Sequence, residues 1–234
     1  MVWRRLMLGL AVASVMALTV IVPVTAAEEE TWDGLVKIDA KRVQVAYLRP
    51  GADFRVYTKV IIDPPIVEFY KNWQRDINRS VSTLGARLNS SDVERIRTAF
   101  SEGFEEILAA GFAKAGWEVG VAEGPDVLRV TPLLLNVYVN APDKMTPGMS
   151  TTYTVRAGEA TLALEIRDAE TDQLLGRAVD RRRTSDYGGV LMSSNRVTNR
   201  AEFERLLKGW TEILVDGLAE LKEASPLGMR ADDQ

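Results

Sequence analysis

The sequence has no cysteine and no histidine. Without cysteine there is no thiolate nucleophile, no disulfide and no Cys/His zinc site. Without histidine there is no Ser-His-Asp triad and no side chain that ordinarily titrates near neutrality. A catalyst built from this chain would have to use Asp, Glu, Lys, Tyr or Ser. Positive charge is not in excess either: 29 Lys and Arg stand against 33 Asp and Glu, a net charge of −4. That balance speaks against nucleic acid as the main partner. There is no internal repeat and no low-complexity tract. A glycine-rich phosphate loop is missing too, since "AGFAKAG" (110–116) falls in a helical pattern and its end. "DAETDQ" (168–173) carries oxygen ligands but lacks the glycine and terminal glutamate of a calcium loop, so it reads as a turn. No metal and no cofactor is expected.

What is present suits a globular protein. The 234 residues are 46% hydrophobic and 26% charged, enough to bury the core of one ordinary domain. The amino terminus has three parts. Arg4 and Arg5 form a positive start, Leu6 to Val22 is an uncharged run of 17 residues, and "VPVTA" ends it with Val24 and Ala26 small enough for the −3 and −1 sites of signal peptidase. This predicts a signal peptide over 1–26, cut near Ala26. The alternative is an uncleaved anchor, because 17 apolar residues lie at the lower edge of what spans roughly 30 Å of hydrocarbon. Cleavage would remove two arginines and take the net charge from −4 to −6. The expected location is periplasmic or secreted. Ala27 stands where a lipoprotein would need cysteine, so no lipid anchor is expected.

Residues 27–40 are acidic and polar and read as a lead-in, 41–224 as a single domain, and 225–234 as a flexible tail. "KRVQVAYL" alternates like a strand, and "FRVYTKVII" puts Val56, Val60 and Ile62 on one face. Val93, Ile96, Phe100, Phe104, Ile107 and Leu108 recur at helical spacing, with Ser91 and Glu94 placed as a capping box and Gly116 just past the end. "WEVGV" is a short strand. "VLRVTPLLLNVYV" is apolar on both faces, as in a covered central strand, with a break or bulge expected at Pro132. "TYTVRAGEATLALEIRD" slips phase, so a bulge is expected near Gly158; Ala160, Leu162, Leu164 and Ile166 then share a face. "LLGRAVDRRR" returns as its partner. A closing helix carries a wide stripe from Phe203 to Leu221, with Asn199 and Glu202 as candidate caps. The order β-β-α-β-β-β-β-α predicts an α+β fold: a mostly antiparallel sheet with two helices packed on one face.

Two blocks carry a resemblance. "DGLVKIDAKRVQVAYLRPGADFRVYTKVIIDPPIVEFYKNWQRDIN" and "AGEATLALEIRDAETDQLLGRAVDRR" resemble the bacterial domain-of-unknown-function family 3313. The similarity runs from about Thr31 to Glu223. It implies a bacterial envelope protein, of a kind often predicted to be a lipoprotein. This chain departs from that pattern by lacking the lipid-acceptor cysteine. The resemblance implies no catalytic residue.

Three stretches are candidate sites. In "YTKVIIDPPIVEFYKNW" (57–73), Asp63 precedes Pro64 and Pro65. It is either a carboxylate acid or base, with Glu68 the nearest second acid, or the polar stop of a strand whose prolines lack amide donors. In "DRRR" (180–183), Arg181 and Arg183 face one way and Arg182 the other, which suits either anion binding or solvated edge residues that block sheet pairing. Two loops, 140–152 and 185–199, carry apolar residues in polar surroundings: Met145 and Met149 in the first, Tyr187, Val190, Leu191 and Met192 in the second. Such loops often mark contacts. The sequence thus predicts an exported, non-enzymatic protein that binds or positions another envelope component, through a protein partner or a membrane surface. Two alternatives remain: a carboxylate-based hydrolase of envelope polysaccharide, and a carrier for an apolar ligand.

Overall fold

The computed structural model describes residues 31–81, 87–139, 159–183 and 196–227. Among them, in chain order, are β1 (Thr31–Trp32), β2 (Leu35–Ile38), β3 (Val45–Leu48), β4 (Lys59–Ile62), β5 (Ile66–Phe69), α1 (Trp73–Ser80), α2 (Ser90–Lys114), β6 (Glu118–Val119), β7 (Val127–Tyr138), β8 (Glu159–Asp168), β9 (Leu174–Arg183) and α3 (Arg196–Ala224). One sheet joins the strands in the order β1-β2-β3-β9-β8-β7-β4-β6, with β5 also beside β7.

The stretch from β1 to β7 across this sheet is antiparallel, but β4 and β5 run parallel to β7, and β6 parallel to β4. The sheet is therefore mixed, a correction to the mostly antiparallel expectation. The cause is the 25-residue helix α2, which carries the chain across the sheet and lets it return in the same direction.

β4 and β5 are two halves of one passage along β7. β4 pairs with Val127 to Val130, and β5 with Leu133 to Val137. Asp63, Pro64 and Pro65 lie between them. The Asp63 N–H donates to the Val130 carbonyl at 2.9 Å, the last ladder bond before the corner. Pro132 falls in the gap between these two ladders, the break expected there, while its pairing with Leu164 of β8 runs on without a shift. The phase of β7 slips instead at Asn136, whose φ is 54°. Leu128, Val130 and Leu134 point inward before it, Val137 and Val139 after it. The bulge expected near Gly158 lies outside the described residues.

The outer edge of β5 is covered by α2. The Arg97 guanidinium donates to the Val67 carbonyl at 3.2 Å, and the Ser101 hydroxyl to the Pro65 carbonyl at 2.7 Å. Arg97 also lies over the Phe69 ring.

α2 and α3 touch each other and share one core with the sheet. Phe104, Leu108 and Phe112 of α2, with Leu206, Leu207, Trp210, Leu214 and Leu218 of α3, join Ala160, Leu162, Leu164 and Ile166 of β8 in a single buried cluster. The helices meet where Phe100 packs edge-on against Phe203, at 4.9 Å between ring centres, and where Gly111 faces Thr211.

Several local expectations need correction. α2 is capped by Asn89 with Asp92, in a reciprocal box, two residues earlier than Ser91 and Glu94. α3 begins at Arg196, so Asn199 and Glu202 lie inside it. Phe54–Val56 is a 3-10 turn rather than part of a strand, and Val56 is 51% exposed. α1 was not foreseen; its stretch is polar except for Trp73 and Ile77, which anchor it in the core. The lead-in contains β1 and β2, pinned by a fully buried Leu35 against Tyr47 and Leu174. The start of the tail is bound as well. The Phe54 N–H donates to the Ser225 hydroxyl at 2.9 Å, and Leu227 exchanges backbone bonds with Gly51 and Ala52.

Candidate functional site: a groove beneath the last helix

β3, β9 and β8 form a floor in which small residues of β3 and β9 lie beside Leu162, Leu164 and Ile166 of β8. Register places Ala46 opposite Ala178 and Leu48 opposite Gly176. Above them α3 presents Gly217 and Ala224 in a face that is otherwise large and apolar. Small residues on both sides leave a groove of about 660 Å³ between helix and sheet. Leu162, Leu164, Ile166, Leu214, Leu218 and Leu221 make most of its walls. α2 lies directly on β4, β5 and β6, whereas α3 approaches the strands less closely.

One end is closed by polar groups that are already engaged. Asp180 is buried; its carboxylate accepts from the Trp210 indole N–H at 2.8 Å, the Arg182 guanidinium at 2.5 Å and the Gln44 N–H at 3.3 Å. A buried carboxylate needs such partners. The mouth is bridged by Arg42, whose two terminal nitrogens reach Asp216 at 2.8 Å and Glu220 at 2.7 Å, one turn apart on α3. All three side chains are well exposed, so the clasp contributes at most about 1 kcal/mol.

The opposite face of the sheet is charged. Glu165 accepts from Arg177 at 2.7 Å and from Arg167 at 3.1 Å. Burial alone would raise its pKa, but the two guanidinium groups outweigh burial and lower it. Asp168 behaves likewise: its burial is outweighed by N–H and O–H donors from Thr171, Tyr57 and Glu170. Its bonds to Thr171 and Glu170 make "DAETDQ" the expected turn. Burial, followed by the Asp168 carboxylate, pushes the Tyr57 phenol well above its usual value. Lys222 lies 3.9 Å over the Trp117 ring, and desolvation lowers its pKa.

Asp63 is tied into the fold. It accepts from Arg129 at 3.0 Å and from the Thr131 hydroxyl at 2.6 Å, and Arg129 also pairs with Glu123. These bonds fix the end of β4 to its neighbour, the polar-stop reading. In "DRRR", Asp180 and Arg182 share the groove-side face while Arg181 is exposed. β3 covers the far side of β9 only from Gly176 to Val179; beyond it the Arg181 N–H donates to the Gln44 side chain at 3.3 Å, and no strand is paired on that side among the described residues. Arg183 ends β9. Met145, Met149, Tyr187, Val190, Leu191 and Met192 lie outside the described residues. Sequence reasoning missed the groove; its only trace is the run of small residues at 46, 176, 178 and 217 inside apolar patterns.

Among the described residues, no cluster of three or more acids could hold a metal ion, and no helix is long and apolar enough to cross a membrane. No curated protein matches the chain. Three solved structures are distantly similar. PelC from Paraburkholderia phytofirmans, crystallised as a dodecamer, is 12% identical over 72% of this chain and 95% of its own, with a TM-score of 0.35. A DUF330 protein from Xanthomonas campestris is 12% identical over 74% and 88%, with a TM-score of 0.38. Lipoprotein GNA1162 from Neisseria meningitidis is 12% identical over 72% and 99%, with a TM-score of 0.27. At such scores the likenesses carry no argument about function. The family model for DUF3313, a protein family of unknown function, matches residues 32–214, and the chain therefore belongs to that family.

Proposed function

We propose that this is an exported envelope protein that holds the apolar part of another envelope component in the groove beneath α3, and that it binds rather than catalyses. The observation that carries this reading is the groove itself: about 660 Å³ with walls of leucine, isoleucine and alanine carbon. Sites for small ligands usually occupy about 300–1,000 Å³, apolar with a few polar groups. The single buried acid in the wall, Asp180, is committed to Trp210, Arg182 and Gln44, which favours binding over carboxylate catalysis. The leader-like amino terminus supports export.

Gly217 offers a clean test. A Cβ added there meets nothing within 4 Å, so Gly217→Leu starts into open space and its side chain occupies the groove. It also removes a helical glycine, which favours the folded state by up to about 1 kcal/mol. The purified protein should enhance the fluorescence of an apolar dye such as N-phenylnaphthylamine. The Gly217→Leu variant should lose that enhancement while its thermal midpoint holds or rises. Equal enhancement by both proteins overturns the reading.

A further inference from the structure

We infer that the groove takes one linear acyl chain of a lipid whose zwitterionic head group sits at the Arg42 mouth; this rests on the binding role proposed above. Shape is the first argument. The helix wall runs from Trp210 to Ala224, about 20 Å at 1.5 Å per residue. A volume of about 660 Å³ along that length is a narrow trough.

Backbone chemistry is the second argument. β3 is paired on both sides, by β2 and β9; β9 lies between β3 and β8, and β8 between β9 and β7. The α3 backbone bonds within its own helix. The floor and roof therefore offer carbon and almost no free donors or acceptors. An extended peptide would enter with its amides unpaired, which is costly. A hydrocarbon chain has none to satisfy.

The third argument is charge at the rim, where both signs alternate over a short span: Asp39, Lys41 and Arg42 on one side, Asp216 and Glu220 on the other. Lys41 forms no ion pair with the described residues. An anionic head alone would meet three carboxylates against two cations. A head with both charges can set its phosphate toward Lys41 and its ammonium toward the acids of α3.

Dye displacement tests this. The probes are palmitoyl-lysophosphatidylethanolamine, shorter-chain homologues of it, palmitate and cholate. The lysolipid should displace the dye at concentrations at least about tenfold below those of palmitate or cholate. Affinity should rise up to about fourfold per added methylene until the trough is full. Lys41→Glu, which leaves the apolar walls that hold the dye intact, should weaken displacement by the lysolipid. If the dye binds but cholate competes as well, or chain length has no effect, the acyl-chain assignment falls and the groove reading stands. If palmitate matches the lysolipid, the zwitterionic head is wrong. If no dye binds, both proposals fall.

Discussion

α2 and α3 are long amphipathic helices of 25 and 29 residues on the same sheet, yet one half of the molecule is filled and the other is hollow. Beneath α2, aromatic rings occupy the space. Phe69 stacks on Trp73 at 4.2 Å and meets Phe100 edge-on, while Phe104 and Phe112 are completely buried. Beneath α3, β3 and β9 contribute Ala46, Gly176 and Ala178 beside the leucine and isoleucine of β8, and an apolar groove is left between helix and strands. Helix length and stripe width are similar, so the difference lies in side-chain volume at a few floor positions. A hollow that loses dispersion contacts persists only where packing elsewhere compensates. The filled half supplies that compensation.

The largest test of this contrast is a matched pair of truncations. Leu108 and Leu218 are both 1% exposed, one in each half. Leu108→Ala should cost about 4 kcal/mol, because it opens a new cavity in close-packed surroundings. Leu218→Ala should cost nearer 2–3 kcal/mol, since its surroundings already lack partners on one side. Chemical denaturation measures both; equal losses would mean that the groove is closed in solution.

A second variant probes the seam between the halves. A side chain at Gly111 would lie 2.2 Å from the Thr211 methyl group, and Thr211 is buried with its hydroxyl bonded to the Leu207 carbonyl. Gly111→Ala should lower stability by about 1–2 kcal/mol, overpacking outweighing the gain in helix propensity. Adding Thr211→Ser, which removes the methyl and keeps the hydroxyl, should restore most of the loss.

The smallest effect is expected from acid. Glu165 and Asp168 lie on β8, the strand shared by both halves, and both have lowered pKa values when folded. A lowered carboxylate contributes stability above its ordinary value, 4.5 for Glu165 and 3.8 for Asp168, and loses it as pH falls through the folded value. The denaturation midpoint should therefore be flat above about pH 5 and decline below the ordinary carboxylate range. Signals from Trp73 in the filled half and Trp210 in the hollow half should change together, as single-tryptophan variants would report.

Much of this was legible in the sequence. The faces of β8 and β9 and the stripes of α2 and α3 follow from periodicity, because burying one side of a regular element leaves a repeat in the chain. The direction of β4 and β5 was not legible, since a strand's own residues do not record whether its neighbour is parallel. β1 and β2 are too short to show alternation, and α1 is mostly polar, whereas β6 falls within the short strand expected at "WEVGV". The groove escaped for a different reason. It depends on Ala46, Ala178 and Gly217 meeting across three elements, and that coincidence exists only once strand register and helix placement are set.

The covered margin of β5 has a consequence of its own. An open strand can template a foreign chain and grow into fibres. Here Arg97 and Ser101 already answer the outward carbonyls of Val67 and Pro65. Concentrated solutions of this protein should stay free of thioflavin-positive aggregates, and removing both side chains should release that restraint before the fold itself gives way.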